Sequence, residues 1–217
     1  MNLNLTLSKI VEEGRTLTKL YGPGFTGLEN LGNSCYMASV IQVLFSLEHF
    51  QAIYYDMALE HLNTCLNNPV DCYYCQICKL IYGLLSGMYS QKKTKILPKI
   101  DDKPEEVEEY QDGVRPASFK NFFHKGHKEF SSGRQQDALE YLGYILEKFE
   151  RQEKMNGMPN PKSPFEFEIE SRMECENCHI VKYRKITSYL LNLTIPNWET
   201  KKRKGLKLLW KNALQNI

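Results

Sequence analysis

The first part of the chain carries apolar residues at the spacing of amphipathic helices. A glycine-punctuated loop at residues 24–34 is followed by apolar side chains that recur on one helix face, at Met37, Val40, Ile41, Leu44 and Leu47. The same period predicts three more helices, over residues 48–66, 74–88 and 135–149. From Phe165 the period changes to two, which predicts strands at residues 165–169 and 189–195 with a tight turn between them.

Three segments fall outside this pattern. Residues 1–20 read as a lead-in segment, because their weak alternation stops at a Gly-Pro-Gly break. Residues 91–111 hold an acidic cluster with few apolar side chains, which predicts an exposed, mobile loop. Residues 197–217 form a short basic amphipathic tail that diverges from what precedes it. We therefore expect one domain over residues 21–196.

Composition narrows the class of protein. The 217 residues suffice for one large or two small domains, and a net charge of +2 gives no general case for nucleic acid binding. No apolar run approaches the roughly 18 residues that span a bilayer, and the N-terminal residues lack the core of a signal peptide. Seven unevenly placed cysteines favour a reducing compartment over a disulfide framework. We expect a cytoplasmic or nuclear protein without a nucleic acid or membrane partner.

Cys35 occupies the predicted start of the first helix. The first N–H groups of a helix have no internal partner and the helix dipole is positive there, so this place favours a thiolate. Gly32 permits a tight turn just before it, and Asn33 or Ser34 can cap the helix with a side-chain oxygen. From spacing alone, a nucleophilic cysteine and a small buried apolar residue are equally good interpretations.

The run GLENLGNSCYMASVIQVLFSL resembles the cysteine box of the ubiquitin-specific proteases, and its flanks YGPGFTG and SLEHFQ resemble the isopeptidase T branch. The resemblance implies a thiol hydrolase that cleaves the bond after ubiquitin's C-terminal glycine and disassembles polyubiquitin. It implies Cys35 as the nucleophile and Asn30 as a donor to the oxyanion hole. The implied fold is α+β and papain-like, with a helical thumb and the start of the fingers and palm, truncated before the palm is complete.

The run GRQQDALEYLGYILEKF resembles the family's second block. The resemblance implies that Gln136 and Asp137 line the cleft for ubiquitin's C-terminal tail. A simpler interpretation makes them a polar first helical turn, in which Asp137 complements the dipole. Ser132 and Gln135 have the spacing of a capping box at the same helix start.

Two groups of cysteines have spacings seen in zinc sites. Cys72, Cys75 and Cys78 lie within a predicted helix and lack an evident fourth ligand, so we interpret them as helix residues, some packed in the core. Cys175 and Cys178 match half of the zinc knuckle at the family's fingers. A structural zinc there is a possible cofactor, and the reaction itself requires none.

The histidines provide no evident base for Cys35. The resemblance aligns His124 and His127 with a segment of the family that does not supply the general base. We interpret both as surface or packing residues, and His49 and His61 likewise. The family's general-base His and its orienting Asp or Asn are expected to be absent from this chain. Two hypotheses remain: a deubiquitinase recorded as an incomplete chain, and a catalytically inactive ubiquitin-binding fragment. Ubiquitin and polyubiquitin are the expected partners of either.

Overall fold

The computed structural model of the chain describes residues 11–12, 15–16, 20–97, 105–108 and 113–191. The chain divides into two compact units, Met1–Pro164 and Phe165–Ile217. The predicted basic tail and most of the lead-in segment lie outside the described residues. Within the described part, no helix combines the length and the apolar character that a membrane crossing requires.

The described part of the first unit is mainly helical. Its helices are α1 (Cys35–Ser46), α2 (Glu48–Phe50), α3 (Ala58–Thr64), α4 (Tyr73–Leu85), α5 (Ala117–Phe123) and α6 (Ala138–Met155). The helices predicted at α1, α4 and α6 are confirmed. The capping box is wrong, because α6 begins three residues after Gln135 and has Asp137 as its N-cap.

The single helix predicted over residues 48–66 is broken. A π-helical turn, Gln51–Tyr55, separates α2 from α3, and the backbone N–H of Asp56 donates to the carbonyl of Gln51 at 3.2 Å. Ile53 and Tyr54 of this turn are buried. The apolar pattern records only which residues face the core, so it does not reveal an extra residue inserted into a turn.

The strands of the described part form three antiparallel pairs. They are β1 (Val11–Glu12) with β2 (Arg15–Thr16), β3 (Thr94–Leu97) with β4 (Glu105–Glu108), and β5 (Phe167–Glu174) with β6 (Val181–Ser188). The loop predicted over residues 91–111 is therefore wrong at β3 and β4. Acidic composition indicates exposure to solvent, but it does not exclude backbone pairing.

The second unit holds the β5–β6 hairpin, whose turn at residues 175–178 was expected. The partner strand begins at Val181 rather than at residue 189, and its side chains are mostly exposed. An exposed strand has no alternating burial, so the hydrophobic pattern could not reveal it. Residues 192–195 of the predicted strand lie outside the described residues.

The core of the first unit lies between α1, α4 and α6. Its largest fully buried side chains are aromatic and aliphatic: Met37, Ile41, Leu44, Phe45, Phe50, Tyr54, Ile77, Ile81, Phe119, Tyr141, Ile145 and Phe149. Full burial of each such side chain contributes roughly 1.5–3 kcal/mol. These contacts set the direction of α1, and so the position of its first residue.

A buried carboxylate joins three elements of this core. Glu153 of α6 accepts hydrogen bonds from the hydroxyls of Tyr54 at 3.0 Å, Tyr73 at 2.9 Å and Tyr74 at 2.7 Å. Burial raises the pKa of all three tyrosines, that of Tyr74 to about 12. The tyrosines therefore stay protonated and donate, which fixes the π-helical turn and the start of α4 against α6.

The segment that leads to α1 is anchored at two glycines. Gly87 has φ +78° and a Cβ there would lie 2.7 Å from the backbone nitrogen of Pro23. Gly113 has φ +79° and its Cβ would lie 2.6 Å from the carbonyl oxygen of Gly27. Both positions need glycine for the conformation and for the close approach. They hold the start of the loop against the end of α4 and against the segment before α5.

Candidate active site and a second cysteine cluster

Cys35 is the first residue of α1 and is exposed. The residue before it, Ser34, is buried and lies at the N-cap position. Contrary to expectation, neither Ser34 nor Asn33 caps the helix with a side-chain oxygen. The first N–H groups of α1 thus remain free of such a cap beside an accessible sulfur, an arrangement that can stabilise negative charge.

Asn30 organises the loop before Cys35. Its Oδ1 accepts from the backbone N–H of Gly32 at 3.0 Å, from the N–H of Ser34 at 3.2 Å and from the Ser34 hydroxyl at 3.1 Å. These hydrogen bonds fix the plane of the amide and use its oxygen. Its Nδ2 group is then the part of the side chain that can donate elsewhere. Gly32 has the left-handed backbone expected of it, with φ +88°.

A second loop, residues 132–137, lies against the first. Asn33 donates from Nδ2 to the carbonyl of Gly133 at 3.0 Å, and Nε2 of Gln135 lies 4.0 Å from the Cys35 sulfur. Asn33 has φ +53°, a conformation that asparagine tolerates better than most residues. The sequence predicted neither the contact of Asn33 with Gly133 nor that of Gln135 with Cys35, because each joins residues 100 positions apart.

Gln136 and Asp137 follow in the same loop and bond to backbone groups on either side of it. Asp137 caps α6, its Oδ1 accepting from the N–H groups of Leu139 at 2.7 Å and Glu140 at 3.0 Å. Gln136 donates from Nε2 to the Glu129 carbonyl at 3.3 Å. The simpler interpretation of Asp137 as a residue of the helix start is therefore realised, while a role in binding a ubiquitin tail stays a prediction.

The histidines of the described part make hydrogen bonds away from Cys35. His124 is buried, with Nδ1 2.9 Å from the Phe130 carbonyl and Nε2 3.0 Å from the Tyr141 hydroxyl. Burial lowers its pKa to about 4. His127 stacks on the ring of Phe130. The expectation that His124 and His127 are surface or packing residues is confirmed. His61 belongs to a group with three cysteines.

His61, Cys65, Cys72 and Cys75 form a compact cluster whose ligand atoms all lie within 4.8 Å of one another. Cys75 is a buried residue of α4, as expected, and Cys72 directly precedes that helix. The further ligands that the sequence did not make evident lie upstream, at the end of α3. Cys78 does belong to the core, where its Sγ lies 3.9 Å from the Tyr54 carbonyl. The signal that could have found the cluster is the pattern His-x3-Cys-x6-Cys-x2-Cys.

Cys175 and Cys178 are exposed in the turn of the β5–β6 hairpin. Hydrogen bonds from the backbone amides of Cys178 and Asn177 hold the pKa of Cys175 below its usual value. In the part of the chain that the structure describes, His179 does not join the pair in a group of three ligands. Half a zinc site at Cys175 and Cys178 stays a prediction.

Comparisons with known proteins agree with the resemblance of the cysteine box. The family described as "Ubiquitin carboxyl-terminal hydrolase" matches residues 26–205. Ubiquitin carboxyl-terminal hydrolase 5 of Homo sapiens is 40% identical over 86% of this chain, and ubiquitin carboxyl-terminal hydrolase A of Dictyostelium discoideum is 39% identical over 89%. The alignments cover 21% and 23% of these relatives, so the chain spans about a fifth of their length.

Among solved structures, the SAGA Ubp8/Sgf11/Sus1/Sgf73 DUB module bound to ubiquitin aldehyde aligns with a TM-score of 0.49 and 21% identity, over 77% of this chain and 34% of that one. The family match and the sequence relatives carry the assignment. The isopeptidase T resemblance and the α+β, papain-like class are confirmed. This chain therefore belongs to the ubiquitin carboxyl-terminal hydrolases, which are cysteine peptidases.

Proposed function

We propose that this chain carries the nucleophile of a thiol-dependent deubiquitinase that hydrolyses the bond after ubiquitin's C-terminal glycine. The observation that supports this most directly is the exposed Cys35 at the first residue of α1, with Nε2 of Gln135 at 4.0 Å from its sulfur. The names of the relatives support ubiquitin as the substrate. Disassembly of polyubiquitin chains is part of the proposal.

In the proposed reaction, the Cys35 thiolate attacks the carbonyl carbon of the terminal glycine. The carbonyl oxygen becomes an oxyanion, and the donors proposed for it are Nδ2 of Asn30, Nε2 of Gln135, which lies 4.0 Å from the Cys35 sulfur, and the first N–H groups of α1. Collapse of the intermediate expels the amine, which takes up a proton, and leaves a thioester. Water then hydrolyses the thioester and releases the ubiquitin carboxylate and the thiol.

We propose that Gln136 and Asp137 contact the extended tail of ubiquitin. Both cap hydrogen bonds of Asp137 end on Oδ1, which leaves Oδ2 to accept from an arginine or a backbone N–H of the tail. The fixed loop would present this carboxylate without reorganising. Binding of the tail would therefore cost the loop little conformational entropy.

A second candidate function is ubiquitin binding without hydrolysis. It is favoured by one observation: none of the five histidines, all within the described residues, hydrogen bonds to Cys35. Acyl transfer by a cysteine needs a base to form the thiolate and an acid to protonate the leaving amine. Under this candidate, the loop around Asp137 holds the tail while Cys35 stays unacylated.

The test has two assays on the full chain. One measures covalent labelling by ubiquitin whose C-terminus carries a thiol-reactive group, and the other measures hydrolysis of a ubiquitin C-terminal amide reporter. The proposal expects covalent labelling and turnover, both lost in Cys35→Ala. Cys178→Ala is the matched control, because it also removes one exposed cysteine but should change neither readout. Binding of unmodified ubiquitin with no labelling would replace the hydrolase with the binding candidate. Neither labelling nor binding by the folded chain would contradict both.

A further inference from the structure

Four side chains meet where α3 ends and α4 begins. His61 lies in the last turn of α3 and Cys65 directly follows that helix, while Cys72 immediately precedes α4 and Cys75 lies in its first turn. The six residues between Cys65 and Cys72 form the connection. Two helix ends and one short loop thus supply four atoms that can bind a metal.

The separations agree with a tetrahedral site. The sulfurs of Cys65 and Cys72 are 3.8 Å apart, and Nε2 of His61 lies 3.5 Å from the Cys72 sulfur and 3.3 Å from the Cys75 sulfur. With Zn–S bonds of about 2.3 Å and a Zn–N bond of about 2.0 Å, a tetrahedron places its sulfurs about 3.8 Å apart and its sulfur and nitrogen about 3.5 Å apart. A disulfide would need about 2.05 Å between sulfurs.

The donor set selects the metal and the kind of site. Three thiolates and one imidazole suit Zn²⁺, whereas Mg²⁺ and Ca²⁺ prefer oxygen ligands. Four protein ligands leave no open coordination position for a water or a substrate. A site with closed coordination contributes to folding and not to chemistry.

The connection is held by polar contacts rather than by apolar burial. The buried Gln76 donates from Nε2 to the Pro69 carbonyl, and Asn68 bonds to the Asp71 carboxylate and to the N–H of Val70. Leu66 and Val70 are exposed, Leu66 completely, so no apolar side chain of the loop is anchored in the core. Helix α3 has seven residues and buries only Ala58 fully. So short a helix is not stable by itself in water and depends on what holds it to the rest of the chain. A metal bound by both helix ends would add a direct link between α3 and α4.

The cluster is also joined to the core. The ring of Tyr74 meets that of His61 edge to face, with centroids 5.7 Å apart. The Tyr74 hydroxyl donates to Glu153 at 2.7 Å. The imidazole therefore rests on a side chain that is itself held by the buried carboxylate, which orients His61 for coordination.

We propose that His61, Cys65, Cys72 and Cys75 bind one Zn²⁺ that fixes the junction of α3 and α4. This zinc site is separate from Cys35 and from the turn that carries Cys175 and Cys178. Its role is structural, and its test does not depend on deubiquitinase activity.

The experiment measures zinc per chain by elemental analysis after purification of the full chain under reducing conditions. The reference is Cys175→Ser/Cys178→Ser, which removes the other cysteine pair and should retain one zinc per chain. Adding Cys65→Ser/Cys72→Ser should abolish that zinc. A folded reference chain without zinc, or zinc that is lost with Cys175 and Cys178 and retained without Cys65 and Cys72, would overturn the proposal.

Loss of ligands could also unfold the chain, so a variant that keeps the site is needed. In the reference background, His61→Cys converts the site to four thiolates and should retain metal. Titration with Co²⁺ should give the intense visible bands of tetrahedral coordination in both proteins, with stronger thiolate-to-metal charge transfer in His61→Cys. Weak octahedral bands in both, or no change in charge transfer, would show that these side chains do not bind the metal.

Discussion

Cys35 begins α1, and Cys72 and Cys75 flank the first residues of α4, so both groups of thiols lie at the positive end of a helix. Their surroundings differ. Around Cys35 lie amide donors and solvent, with no second thiol among its described contacts. Around Cys72 lie two further thiols and an imidazole. Both places lie at a helix start, so the neighbouring side chains decide whether a thiol there attacks a carbonyl or binds a metal.

The two regions are also held differently. The loops around Cys35 are fixed by hydrogen bonds of the protein alone, which Asn30 accepts through Oδ1 and Asn33 donates through Nδ2. The junction of α3 and α4 has an exposed loop and a seven-residue helix, which we propose a zinc ion holds. Conditions that disturb one region should therefore leave the other in place.

Removal of zinc should have the largest effect. Structural zinc sites bind with about 10–16 kcal/mol, comparable to the whole stability of a domain at about 5–15 kcal/mol. A strong chelator should therefore expose the amides of α3 and of the start of α4 to hydrogen exchange, and zinc should restore their protection. Protection unchanged by chelation, in a chain whose zinc has been removed, would contradict the account.

Substitution of Asn30 should separate loop structure from catalysis. Asn30→Asp keeps the oxygen that Gly32 and Ser34 donate to but removes the Nδ2 donor, so turnover should fall about 100- to 1,000-fold with little change in the free energy of unfolding. Asn30→Ala should also destabilise the loop, by about 1–3 kcal/mol. Reporter hydrolysis and denaturant unfolding measure the two effects. Equal turnover in Asn30→Asp and the unsubstituted chain would exclude Asn30 from the oxyanion hole.

Acid should weaken the packing of the end of α5 against α6 through His124. Its Nδ1–H donates to the Phe130 carbonyl and its Nε2 accepts from the Tyr141 hydroxyl, so the folded state favours the neutral ring. The folded pKa of about 4 lies below the usual 6.5. The unfolded chain therefore binds the proton first, and stability that is complete above pH about 6.5 declines as the pH falls toward about 4, by on the order of 3 kcal/mol.

His124→Gln should remove this part of the pH dependence. Both proteins carry the same cysteine cluster, so the difference between their unfolding curves from pH 7 to pH 4 isolates His124 from any loss of zinc. Parallel curves over that interval would show that His124 is protonated as easily in the folded chain as in the unfolded one.

Substitution of Asp137 should have the smallest effect on stability. Asp137→Ala removes the N-cap of α6 and should cost about 1 kcal/mol, whereas Asp137→Asn retains an oxygen for the cap. Asp137→Asn nevertheless removes the charge proposed to meet ubiquitin's tail, so it should weaken ubiquitin binding with nearly unchanged unfolding. Equal ubiquitin affinity in Asp137→Asn would limit Asp137 to the helix cap.

Local patterns predicted the helices that bury a continuous stripe, as α1, α4 and α6 do. The same patterns did not predict three features of the backbone that leave no apolar period in the sequence. These are the π-helical turn, the exposed strand β6, and the pairing of β3 with β4. Resemblance placed Cys35 in a cysteine box before any geometry was known. It could not give the approach of Gln135 to Cys35, which depends on how two loops distant in sequence pack together.

The cysteine cluster was missed for a different reason. The sequence analysis leaves Cys72 and Cys75 without a fourth ligand, because His61 and Cys65 lie at the end of the preceding helix. The prediction of one continuous helix over residues 48–66 placed Cys65 inside that helix, whereas α3 ends at Thr64, directly before Cys65. An incorrect helix boundary therefore concealed a candidate ligand set whose spacing was visible in the sequence.

The most direct test of the account is to react the zinc-loaded chain with the thiol-reactive ubiquitin and to identify the labelled cysteine by peptide mass spectrometry. The account predicts modification of Cys35 alone, with Cys65, Cys72 and Cys75 unlabelled and the zinc retained. Modification of a cluster cysteine in place of Cys35, with release of zinc, would contradict the division of this chain into a reactive thiol and a structural metal site.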